Sequence, residues 1–141
     1  MGLYLCVFRG EAADEEVDGV EVGSYDDFHD LRGAVAQVLE NGRWGSRFPV
    51  LMSHSDSVGE WSPAEAFALA GELEIIETEF AALPARGFAP GSWQEGVTGS
   101  MGFAPTTLGG CFIDVDGEPL LERLRQLALT AAKLDAPISF Q

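Results

Sequence analysis

Basic residues are scarce in this chain. Lys and Arg together number 8, against 23 Asp and Glu, for a formal net charge of −15 over 141 residues. A surface built this way repels nucleic acid, because phosphate binding needs Lys and Arg to displace counterions. It repels anionic lipid for the same reason, and it draws in basic proteins and cations. Cysteine is nearly absent as well: Cys6 and Cys111 each sit inside an apolar segment, without the CxxC spacing of a zinc or redox site. They read as reduced core residues. No apolar run approaches the ~20 residues that cross a bilayer. The opening MGLYLCVFRG has no basic region and no small-residue cleavage site, so it reads as a strand and not a signal peptide. A cytoplasmic protein is expected, without nucleic acid, membrane or cofactor among its partners.

What is present suffices for one domain. Hydrophobic residues make up 46% of the chain, enough for a core. GLYLCVFR (2–9) is nearly continuously apolar and suggests a strand buried on both faces. A short strand follows near GVEVG (19–23). Ser24 then opens a helix, with Asp27 three residues on as in a capping box. Phe28, Leu31, Val35, Val38 and Leu39 form its apolar stripe, and Gly42 ends it. RFPVLMSH (47–54) reads as a strand. SPAE (62–65) starts a second helix, with Ser62 as cap, Pro63 in the first turn and Glu65 closing the box. Residues 84–107 are rich in Gly and Pro and read as loop, with a short turn capped in SWQE (92–95). LGGCFIDV (108–115) reads as a strand, the segment after Pro119 as a third main helix, and APISFQ as a final short strand. The expected fold is α+β, one domain over 1–141, with a mixed sheet of about four to five strands packed with three main helices.

Two acidic stretches could carry chemistry. HSDSVGEW (54–61) places His54, Asp56, Ser57 and Glu60 beside Trp61. His54, Asp56 and Glu60 have the donor atoms of a metal site, and Ser57 that of a hydrolase nucleophile. No HExxH or GxSxG accompanies them, and the only other histidine is His29. A strand-to-helix turn leading to the Ser62 cap explains the same residues without catalysis. DVDGE (114–118) alternates Asp114, Asp116 and Glu118, yet it fails the calcium-loop pattern, because position 123 is Arg. It reads as the start of a helix. An enzyme using His54, Asp56 and Glu60, with Asp114 and Asp116, would require the two acidic turns to meet in space. Trp44, Trp61 and Trp93 lie near turns, where Trp serves the core or anchors an interface.

Taken in order, several motifs resemble a known family. They are GLYLCVF, DGVEVGSYDDF (18–28), GSRFPVLMSHSD (45–56), GEWSPAE (59–65), FIDVDGEPLLERL (112–124) and the terminal PISFQ. Together they are similar to the bacterial immunity protein family numbered seventy, immunity protein 70, of polymorphic toxin systems. The resemblance implies a cytosolic inhibitor, not an enzyme, that binds a cognate toxin domain and blocks it. No binding residues are carried over from it. Charge and shape nominate the acidic stretches around 11–30 and 54–61 as the contact with a basic toxin surface. The named candidates are Asp14, Glu15, Glu16, Asp18, Asp26, Asp27, His54, Asp56, Glu60 and Trp61. An acidic scaffold for another basic protein is the third reading.

Overall fold

The computed structural model describes residues 2–9 and 15–141. Four strands form one sheet: β1 (Gly2–Arg9), β2 (Glu15–Ser24), β3 (Glu60–Trp61) and β4 (Ile138–Phe140), in the order β2-β1-β4-β3. Every neighbouring pair is antiparallel, so the sheet is not the mixed one expected from the alternation of elements. The two ends of the chain supply its centre, where Leu5 faces Phe140 and Val7 faces Ile138. Among the described residues five helices accompany it: α1 (Tyr25–Leu39), α2 (Pro49–Ser53), α3 (Pro63–Ala81), α4 (Trp93–Met101) and α5 (Leu120–Leu134). Among the described residues no helix is long and apolar enough to cross a membrane.

Three helix starts follow the sequence closely. Ser24 and Asp27 bond reciprocally at the start of α1, and Ser62 and Glu65 do the same for α3. Ser92 caps α4 by accepting the Glu95 amide, though α4 runs 9 residues where only a short turn within a loop over 84–107 is expected. At the far end of α1, Asn41 (φ 53°) takes the first left-handed position and Gly42 (φ 78°) the next. Val38, assigned to the α1 stripe, is 44% exposed; Phe28, Leu31 and Val35 carry that face. In α5, Leu120, Leu121, Leu124, Leu127, Ala128 and Ala131 are all buried, as their spacing requires.

Three segments depart from expectation. RFPVLMSH is not a strand: α2 occupies it. A carboxylate distant in sequence starts that helix, since Glu72 of α3 accepts the amides of Val50 (3.1 Å) and Leu51 (2.9 Å). LGGCFIDV forms a 3₁₀ turn over Gly109–Cys111, not a strand. β2 is longer than 19–23 because its first turn of pairing uses acidic, solvent-facing residues opposite Phe8 and Arg9.

The core lies on one side of the sheet. Leu3, Leu5, Val7, Val20 and Val22 are buried there with Trp61, Ile138 and Phe140. α1 and α5 pack on this side: Phe28 meets Phe140 edge-on at 6.4 Å, and Arg123 reaches Asp18. α3 forms the next layer, against α5. The other side is not covered by a helix among the described residues; α4 reaches only its Gly23 end, where Trp93 approaches. β1 is therefore not buried on both faces. Its outward residues Tyr4 and Phe8 are half-buried, while Cys6 between them is fully buried.

Candidate functional site

The stretch 54–61 is held together by His54. Its Nδ1 lies 2.8 Å from the Ser55 carbonyl and its Nε2 2.9 Å from that of Glu60. The ring stacks on Phe140 at 4.3 Å and lies 5.1 Å from Trp61. Both nitrogens face carbonyl oxygens, and a neutral imidazole donates to only one of them. Neither nitrogen points at a serine hydroxyl or a ligand position, so His54 serves as a pin for the turn. Trp61 is a core residue at 1% exposure, with Nε1 donating to the Val50 carbonyl at 3.0 Å. Its ring has no surface to offer a partner, which corrects its place among the contact candidates.

Arg32 closes the same corner from below. It is buried, and one guanidinium nitrogen donates to the carbonyls of Leu51 (3.2 Å), Met52 (3.4 Å) and His54 (2.8 Å). It thus caps the end of α2, lying 4.4 Å from the Phe28 ring. Burial holds its pKa below the usual arginine value, with the charge of exposed Asp56 opposing that shift. Asp56 therefore supports a buried cation while facing solvent.

The second acidic turn is also structural. Asp114 is buried, and its Oδ1 accepts the amides of both Asp116 and Glu118 at 2.9 Å. The neighbouring Val115 amide bonds to the Glu21 carbonyl on β2. β2 is one edge of the sheet and β3, which begins at Glu60 where the acidic stretch ends, is the other. The two turns do not meet, and the combined constellation of His54, Asp56, Glu60, Asp114 and Asp116 is not assembled. Among the described residues no group of three or more His, Cys, Asp or Glu is placed to hold a metal ion.

The remaining acidic candidates divide by what they touch. Asp14 lies outside the described residues. Glu15 pairs with Arg9 at 2.8 Å, both well exposed, a contact that solvent and salt screen. Asp18 pairs with Arg123 at 3.0 Å on the helix side of the sheet. Asp27 is turned inward: it accepts from the Ser24 amide and hydroxyl, Trp93 Nε1 (2.9 Å) and Gln94 Nε2 (2.7 Å). Desolvation works against its charged form, yet these hydrogen bonds prevail and hold its carboxyl below the ordinary aspartate value. A depressed folded-state pKa stabilises the fold above the unfolded value of about 3.9, and that contribution is lost as pH falls through the folded value. Asp27→Ala is therefore expected to cost about 2–3 kcal/mol at neutral pH and to flatten the acid limb of the stability profile. Urea unfolding at pH 7 and at pH 3 checks this; an equal cost at both would refute the charge's role.

Glu16, Asp26, Asp56 and Glu60 are left exposed. Asp26 lines a cleft of about 510 Å³ together with Asp30 and Arg86, which are ion-paired at 2.5 Å. Sequence reasoning named Glu16 and Glu60 but missed Tyr4, Phe8 and Glu21, which share the outward side of the sheet with them. The signal was the alternation Tyr4, Cys6, Phe8, hidden inside an apolar run.

A small α+β domain is the class these features define: an antiparallel sheet with helices packed on one side, and polar clusters that hold turns. A family model described as Immunity protein 70 matches residues 3–140, and the chain belongs to that family. It is thereby an immunity protein of a polymorphic toxin system, as its motifs suggested. No curated protein and no solved structure matches it.

Proposed function

We propose that this protein captures a cognate toxin domain with a basic surface, such as a nuclease cleft, and neutralises it by stoichiometric binding in the cytoplasm. The observation that carries this reading is where the positive charge goes. Arg9, Arg47, Arg86, Arg123 and Arg125 are each engaged in an ion pair within the chain, and Arg32 is buried. Six of the 8 basic side chains are thus committed internally, and the carboxylates, 23 in number, far exceed what they can pair. A surplus of one sign steers a cationic partner and speeds its capture, which suits an inhibitor of a lethal protein.

Stoichiometric inhibition is favoured over catalysis because His54 has both nitrogens engaged with carbonyls and the two acidic turns sit at opposite sheet edges. The test is to purify the toxin domain encoded beside this gene and titrate it with the protein. Toxin activity is expected to end at one equivalent, with a 1:1 complex on gel filtration. Undiminished toxin activity at excess inhibitor would reject the reading. A complex with an unrelated basic protein only would favour a scaffold instead.

A further inference from the structure

We infer that the side of the sheet with no helix over it among the described residues is the surface that docks a basic patch of the toxin domain, with Tyr4 and Phe8 as central anchors and Glu16, Glu21 and Glu60 as a charged rim. This rests on the inhibitor reading above and names the face that carries it. The register defines the surface. Glu21 faces Tyr4, Glu16 faces Phe8, and Gly19, Cys6, Ser139 and Glu60 stand opposite one another across all four strands. Side chains at these positions point away from the helices, since their neighbours Leu5, Val7, Val20, Ile138 and Trp61 fill the core.

Three observations bear on what covers this face. First, its centre is aromatic and its periphery is carboxylate, the arrangement of an interface core and rim. Glu16, Glu21 and Glu60 are exposed and carry no ion pair among the described residues. Second, Tyr4 is held flat. A Cβ on Gly19 would collide with the Tyr4 phenol, so the ring lies across the glycine instead of standing into solvent. The ring is thus pre-placed, and little side-chain freedom is lost when a partner covers it. Third, the face continues into an apolar groove of about 560 Å³ beside α4, lined by Tyr4, Gly23, Trp93, Val97 and Val115. An aromatic ring with a carboxylate beside it accepts a guanidinium or ammonium group by stacking and charge together. A second copy of this chain would oppose like charge to like. The chemistry therefore selects a basic partner.

The experiment compares two charge-reversed pairs against the purified toxin domain. E16K/E21K alters the docking face. E74K/E122K makes the same change in net charge on the helix layer, where both residues lie near Arg125. All four side chains are exposed, so both proteins should fold, and circular dichroism melting verifies it. The face pair is expected to raise Kd by about 100-fold, because like charges opposed at an interface cost several kcal/mol. The helix pair should raise it less than about fivefold, since salt screens distant charges. Equal losses in the two pairs, or no loss in the face pair, overturn the assignment while leaving the inhibitor reading intact. A self-dimer broken only by E16K/E21K also overturns it, with a second copy as the occupant. If the unaltered protein fails to bind the toxin, the inhibitor reading itself falls.

Discussion

Replacing Glu40 by Ala is expected to destabilise the fold by about 3–5 kcal/mol, more than the loss of any exposed carboxylate. Glu40 stands just past α1 at 2% exposure. Its two oxygens accept the amides of Gly45 (3.0 Å), Arg47 (2.9 Å) and Phe48 (3.0 Å). The whole connection from α1 to α2 is thus organised by one carboxylate. Removing it strands three backbone donors, at least one of them in the core, and each unmet buried donor costs about 1–3 kcal/mol. Glu40→Gln keeps an oxygen but turns an NH₂ toward amides that need acceptors, so it should recover only part of the loss. Urea denaturation of both variants decides the matter. An E40A variant within 1 kcal/mol of the unaltered protein would show that water satisfies these amides.

The second large effect is kinetic. Association with the toxin domain is expected to slow by more than tenfold between about 0.02 and 0.5 M salt, while dissociation changes little. The Debye length shortens from roughly 20 Å to about 4 Å over that range, which confines the field of the acidic surface to its immediate surroundings. Stopped-flow mixing across a salt series measures it. A flat association rate would mean that the net charge of −15 serves solubility and not capture.

The sequence disclosed the parts of this fold that are decided locally. The caps at Ser24, Ser62 and Ser92 form from residues three apart, so no distant partner is needed to see them. α5 was equally plain, because its leucines repeat along one face. α2 was not, since its first amides are satisfied by Glu72, 22 and 21 residues away, and an apolar run of five has no period of its own. The antiparallel sheet was hidden for a similar reason: β4 pairs with β1 across almost the whole chain. At the candidate surface, charge composition pointed to acidic contacts but did not sort them. Asp27 and Asp18 looked like Glu16 in the sequence, yet the first two hold the fold together and only Glu16 is turned outward without an ion pair among the described residues. Tyr4 and Phe8 went unnoticed because an unbroken apolar strand implies two covered faces, and among the described residues one face has no helix over it.

That strand has a further consequence for change over time. Along β1 and β2, residues that sustain the fold and residues that face outward occupy alternate positions. Leu5 and Val20 are constrained by a packed interior, where even a methylene matters. Their sequence neighbours Glu21 and Tyr4 point outward, where the side chains meet only the flat seat at Gly19, Glu16 and the groove beside α4. A lineage can therefore rewrite the outer register, exchanging one charge pattern for another, without reopening the problem of folding. On the docking assignment proposed above, partner preference and architecture share one strand and can change independently.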